Sequence, residues 1–152
     1  MSLDRGYLVF DPSSKEWSTK AVFSGLIKEL KAGGATPVLK NNFIQLLKGD
    51  QDGPEFVPVM YSSEMLESYI LERVNAGEGS GAIYYFEDGQ SVEGFDLLIS
   101  PEKKIIIYPF DNAPLLPNSK CVDFSIYCSL LAKPIFHLVG EYSLTTSQFI
   151  DR

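Results

Sequence analysis

The chain holds one histidine, His137, so any imidazole acid–base chemistry rests on that residue alone. With Ser125 and Asp123 upstream, a Ser-His-Asp arrangement is conceivable. No nucleophile elbow of the G-x-S-x-G type accompanies it. In Ile135-Phe136-His137-Leu138-Val139, strand alternation sets His137 on the side opposite Phe136 and Leu138. A surface or hydrogen-bonded sheet histidine is the plain reading. Cys121 and Cys128 lack both Cys-x-x-Cys spacing and histidine company. They read as reduced, buried small hydrophobes. Asp50-Gln51-Asp52-Gly53-Pro54-Glu55 has a superficial likeness to a calcium loop. It lacks the length, the terminal bidentate Glu and the flanking helices, and reads as a hairpin turn. Gly77-Glu78-Gly79-Ser80-Gly81 is glycine-rich, yet it leads into a strand. A phosphate cradle uses the amides of a helix N-terminus, so no nucleotide site follows. No catalytic residue, metal ligand or cofactor is assigned.

What remains is surface chemistry. The 152 residues include 20 acids and 13 bases, for a net charge of −7. That balance opposes nucleic-acid binding, which favours a basic patch. The charge is uneven: residues 1–76 hold 8 bases and 10 acids, residues 77–152 hold 5 and 10. In the second half, Glu87, Asp88, Glu93, Asp96, Glu102 and Asp111 meet only Lys103 and Lys104. They are interleaved with Tyr84, Tyr85, Phe86, Phe95, Tyr108 and Phe110. Aromatics anchor interfaces and charge steers association. The candidate partner-binding set is therefore Tyr84, Phe86, Glu87, Asp88, Glu93, Asp96, Tyr108, Phe110 and Asp111. The competing reading is a solvated sheet face with its aromatics in the core.

These residues need elements to hold them. Tyr7-Leu8-Val9-Phe10 reads as a first strand ended by Asp11-Pro12. Ser18 is a candidate N-cap, and Val22, Phe23, Leu26, Ile27 and Leu30 recur at helical spacing up to Gly33-Gly34. Asn41-Asn42 suits a tight turn between two strand pieces, Val38-Leu39 and 43–47. Residues 55–61 read as a strand placed at an edge or bulge by Pro58. Ser62 or Ser63 would cap a second helix carrying Met65, Leu66, Tyr69, Ile70 and Val74, with Gly77 at its C-cap. Residues 82–86, 94–99 and 104–108 form a meander. The segment 121–131 fits both strand alternation and a helix. Its poor helix formers favour a strand, and Pro134 would begin a last strand through Val139.

The sum is an α+β domain of two helices on a mostly antiparallel sheet, with the three-strand meander of 82–108 at its centre. Its length suits one domain over 1–152, with a possible seam at the glycine connector 77–81. No apolar run approaches the ~20 residues that span a bilayer, and no signal-peptide pattern stands at the N-terminus. A soluble, cytoplasmic protein is expected.

One stretch resembles a known family. Residues 52–66, with their pattern G-x-x-F-V-P-V-x-x-S-x-E-x-L, are similar to the SseB (enhanced serine sensitivity) domains of bacteria. Those domains have a strand that runs into a helix at this motif. The helix and strand of 18–47 fall in a compatible order, and Leu97-Leu98-Ile99-Ser100-Pro101 loosely matches a later strand. Met60-Tyr61 stands where that family tends to have Phe-Thr. The resemblance implies a cytoplasmic bacterial α+β domain without known catalytic residues.

The expected function is a non-enzymatic, bacterial-type interaction module, an adaptor or immunity-like protein whose acidic face binds a basic protein. The alternative is a small-ligand sensor with a pocket between sheet and helices. A homodimer is compatible with either.

Overall fold

The computed structural model describes residues 6–49, 57–86, 93–110 and 112–148. Eleven elements run in chain order: β1 (Gly6–Pro12), α1 (Thr19–Ala32), β2 (Ala35–Thr36), β3 (Phe43–Gly49), β4 (Val59–Ser62), α2 (Leu66–Asn75), β5 (Gly79–Phe86), β6 (Gly94–Ile99), β7 (Ile105–Pro109), α3 (Ser125–Val139) and β8 (Tyr142–Gln148). The strands form one sheet in the order β4-β3-β5-β6-β7-β1-β8, with β2 added to the end of β5. Every pairing among the described strands is antiparallel. The class is α+β, and the meander β5-β6-β7 occupies the middle of the sheet as expected.

The local signals explain most of these elements. Ser18 Oγ accepts the Ala21 N–H at 3.2 Å and starts α1, which buries Val22, Phe23, Leu26 and Leu30. Gly34, at φ 95°, carries the chain out of it. Asn42 adopts φ 64° in the turn before β3. The Asn42 N–H reaches Leu39 O at 2.9 Å, and the Leu39 N–H reaches Phe43 O at 2.8 Å. At α2 the expected serine cap is replaced by a 3₁₀ turn, Ser63–Met65, and Ser62 makes no side-chain cap. Only Tyr69 and Ile70 of the expected stripe are buried; Met65 and Val74 are exposed. Gly77 ends α2 at φ 70°, with the Glu78 N–H on Arg73 O at 2.9 Å. The strand expected over 55–61 begins at Val59, after Pro58, and is an edge strand; residues 50–56 lie outside the described residues.

The structure corrects three expectations. Residues 125–139 are not strand but a third helix, and Pro134 sits inside it. Tyr127, Leu131, Ile135 and Val139, each four apart, form its buried stripe. Burying such side chains yields about 1.5–3 kcal/mol each, which outweighs the ~3 kcal/mol that an interior proline costs. The alternation in 121–131 was coincidental, because the stripe continues at helical spacing beyond it. The last strand is instead β8, an uncharged Ser/Thr-rich segment without an apolar alternation to announce it. Finally, Gly79 and Gly81 are no connector. They lie in β5 near the middle of the sheet. A Cβ on Gly81 would stand 2.3 Å from Leu97 O, so the glycine is there for close strand approach.

All three helices cover one face of the sheet. Their buried residues join Leu8, Phe10, Ile44, Leu46, Ala82, Tyr84, Phe95, Leu97, Ile99, Ile105 and Ile107 in a single core. Gly81→Ala is expected to destabilise the fold by about 1–3 kcal/mol, read from urea denaturation. Pro134→Ala should move the urea midpoint the other way, because it restores the N–H that a helix, but not an edge strand, would use.

Candidate interaction surface

Strand alternation sends every second side chain to the face that carries none of the described helices. On it lie Tyr7 and Val9 of β1, Leu47 of β3, Ile83 and Tyr85 of β5, Asp96 and Leu98 of β6, and Ile106 and Tyr108 of β7. The pairing aligns them. Ile83 stands opposite Asp96, and Asp96 opposite Tyr108. The Tyr108 ring meets Tyr7 with centroids 6.0 Å apart. Beside this row, Tyr85 meets Phe110 edge-on at 5.9 Å and donates its hydroxyl hydrogen to Gln45 Oε1. Leu47, Leu98 and Tyr108 are buried, although they belong to no part of the helix-side core. The other residues named here are half-buried.

Asp96 is the one acid of the candidate set that the described strands place in the middle of this face. Its charge reaches Tyr85, whose hydroxyl is held above its ordinary pKa chiefly by burial and also by Asp96. Asp11 shares the face at its margin, where Lys15 pairs with it and holds its carboxyl below the usual range.

The remaining candidates divide. Tyr84 is a correction: it is 0% exposed, stacked on Phe95 with centroids 5.2 Å apart, and cannot touch a partner. Phe86 points to the helix side and packs against Phe95 and Tyr127. Tyr108 is only 6% exposed, so it supports the face from below. Glu93 is half-buried next to β6, and its charge helps raise the pKa of Tyr127 on the helix side. Glu87, Asp88 and Asp111 lie outside the described residues. Parity separates these residues. Asp96 and Tyr108 share a side of the sheet, and Tyr84 and Phe95 share the other.

Among the described residues, the Ser-His-Asp set does not come together. Ser125 donates its hydroxyl to Asp123 Oδ1 at 2.6 Å, a local turn that opens α3. His137 lies near the other end of that helix, about 18 Å away at 1.5 Å per residue, and bonds Glu29 of α1 at 2.9 Å. The histidine is thus a helix residue on an exposed surface, and not a sheet residue. Cys121 and Cys128 are free and half-buried, and burial raises the Cys128 thiol pKa, which lowers its reactivity. Among the described residues, no group of three or more His, Cys, Asp or Glu could hold a metal ion. A shallow groove of about 610 Å³ runs outside the core, between α3 and the start of β8. No described helix is long and apolar enough to cross a membrane.

No family model, no curated protein and no solved structure matches the chain.

The buried tyrosines make a measurable signature. The Tyr84 hydroxyl finds no hydrogen-bond partner among the described residues, and burial drives its pKa far up. Burial likewise pushes Tyr69 and Tyr127 up to about 12. A raised folded-state pKa means that stability is complete below the ordinary tyrosine value of ~10 and is lost as pH rises through the folded value. Thermal melts should therefore show Tm falling between about pH 10 and 12. Tyr84→Phe should leave neutral-pH stability unchanged or raise it by about 1 kcal/mol, since it deletes an unpaired buried hydroxyl.

Proposed function

We propose that the chain is a non-enzymatic, cytoplasmic, bacterial-type interaction module whose helix-free sheet face binds a basic protein partner. An adaptor or an immunity-like protein would use such a face. The observation that carries the reading is the row Ile83–Asp96–Tyr108–Tyr7, flanked by Tyr85 and Phe110, on the face without described helices. Aromatic and aliphatic groups around one carboxylate suit an inserted Arg or Lys. The alkyl stem lies on the rings and the charged head meets the acid. The net charge of −7 adds long-range attraction for a basic partner. The two free cysteines accord with a reducing compartment.

The SseB-like reading enters here too. Its strand, serine and helix correspond to β4, Ser62–Ser63 and α2. It favours a bacterial cytoplasmic setting and names no site residue.

The test is affinity capture with the wild-type chain, Asp96→Asn and Asp96→Lys side by side. Circular dichroism would check that each variant folds. A partner with a basic surface is expected, with binding weakened tenfold or more by Asp96→Asn and abolished by Asp96→Lys, and with strong salt sensitivity. Equal binding by all three proteins would remove the helix-free face from the interaction.

A further inference from the structure

The two edges of the sheet are built differently. At one, β4 is four residues long and follows Pro58, and a short strand beside a proline is a poor template for pairing. At the other, β8 runs for seven residues, Tyr142–Gln148, in unbroken register with β1 from Pro12↔Tyr142 to Gly6↔Gln148. Tyr142-Ser143-Leu144-Thr145-Thr146-Ser147-Gln148 has no charge, no proline and no bulge. None of the usual devices that blunt an edge is present in it.

The ladder shows which backbone groups face outward. The Ser13 N–H bonds Glu141 O at 2.9 Å, in step with the β1–β8 register. Alternation then directs the backbone of Ser143, Thr145 and Ser147 inward to β1, and that of Tyr142, Leu144 and Thr146 outward. No described strand pairs with β8 on that outer side. Ser143 to Thr146 are all exposed. Two apolar side chains border the same edge on the helix side: Leu144 is 41% exposed, and Phe136, which lines the groove with Tyr142 and Ser143, is 53% exposed.

We propose that β8 pairs antiparallel with β8 of a second copy, joining two sheets across a two-fold axis. A second copy is the occupant that the chemistry selects. The molecule is acidic, and this uncharged strand is a place where two like-charged copies meet without a carboxylate facing a carboxylate. The strand is also self-complementary. The register that uses its whole length centres on Thr145 opposite Thr145 of the copy and sets Leu144 opposite Thr146. Threonine pairs favour such a ladder through cross-strand hydrogen bonds. The two-fold axis stands perpendicular to the sheet, so both helical layers share one side. Phe136 and Leu144 of each copy then border the seam. This inference does not rest on the proposed partner face, which lies on the sheet rather than at its edge.

Sedimentation velocity up to roughly 100 µM, a hundred times a micromolar Kd, is the first measurement. Twice the monomer mass is expected; a monomer throughout overturns the proposal. Thr146→Pro removes an outward N–H while sparing the bonds to β1, and Thr145→Lys sets like charges face to face at the axis. Each should give a monomer with an unchanged circular dichroism spectrum, whereas a dimer that survives both overturns the proposal. Thr145→Cys in a Cys121→Ser, Cys128→Ser background provides a check independent of variant stability. Opposed residues of a non-hydrogen-bonded pair lie close enough for a disulfide. Oxidation should yield a covalent dimer at position 145 and far less with Ser143→Cys. Failure to cross-link at 145 overturns the register and the interface together.

Discussion

The structure depends on the packing of its helices against one face of a sheet. Three helices with apolar stripes need a surface to cover, and a single antiparallel sheet provides one face for all of them. Because strand side chains alternate, committing one set of residues to that core commits the other set to the opposite face. Leu8, Phe10, Tyr84, Phe95, Leu97 and Ile107 go in, so Tyr7, Val9, Tyr85, Asp96, Leu98 and Tyr108 go out. A slip of one residue in the central strands would bring Asp96 into the helical layer and send Phe95 to the other side. The cost of burying an unpaired carboxylate makes that register untenable.

Where local chemistry was unambiguous, the elements could be read from the residues. Ser18 and Gly34 bracket α1, Asn42 takes the left-handed turn, and the meander occupies the centre of the sheet. The failures have a common cause. Residues 121–131 satisfy two periods at once, and their weak helix propensity points to the wrong one. The decisive information lay further on, in Ile135 and Val139, which extend the stripe four residues at a time. A strand starting at Pro134 leaves no room for β8, whose serines and threonines carry no amphipathic signal. Gly79 and Gly81 misled in the other direction. Glycine reads locally as freedom, but here it answers a contact with the neighbouring strand that only the sheet defines.

The candidate surface was half legible. An acidic aromatic cluster in the meander was visible as composition. Its division into a core set and an outer set followed from parity that the residues already contained, once the strands were placed. Tyr7 was not legible as part of it. Its ring reaches Tyr108 only because β1 is inserted beside β7, a long-range pairing with no local signature.

That insertion has a kinetic meaning. β1 lies between β7 and β8, so among the described strands residues 6–12 pair with residues of 105–109 and 142–148. The loops to be closed are long, and such contacts slow folding. As the chain emerges during synthesis, α1, β3 and the meander can assemble while β1 waits without a partner. The edge of β7 stays open until β1 docks, and β1 in turn exposes an edge until β8 is made. β8, made long after β1, thus completes its pairing, which makes assembly of this sheet sensitive to whatever delays or captures β8.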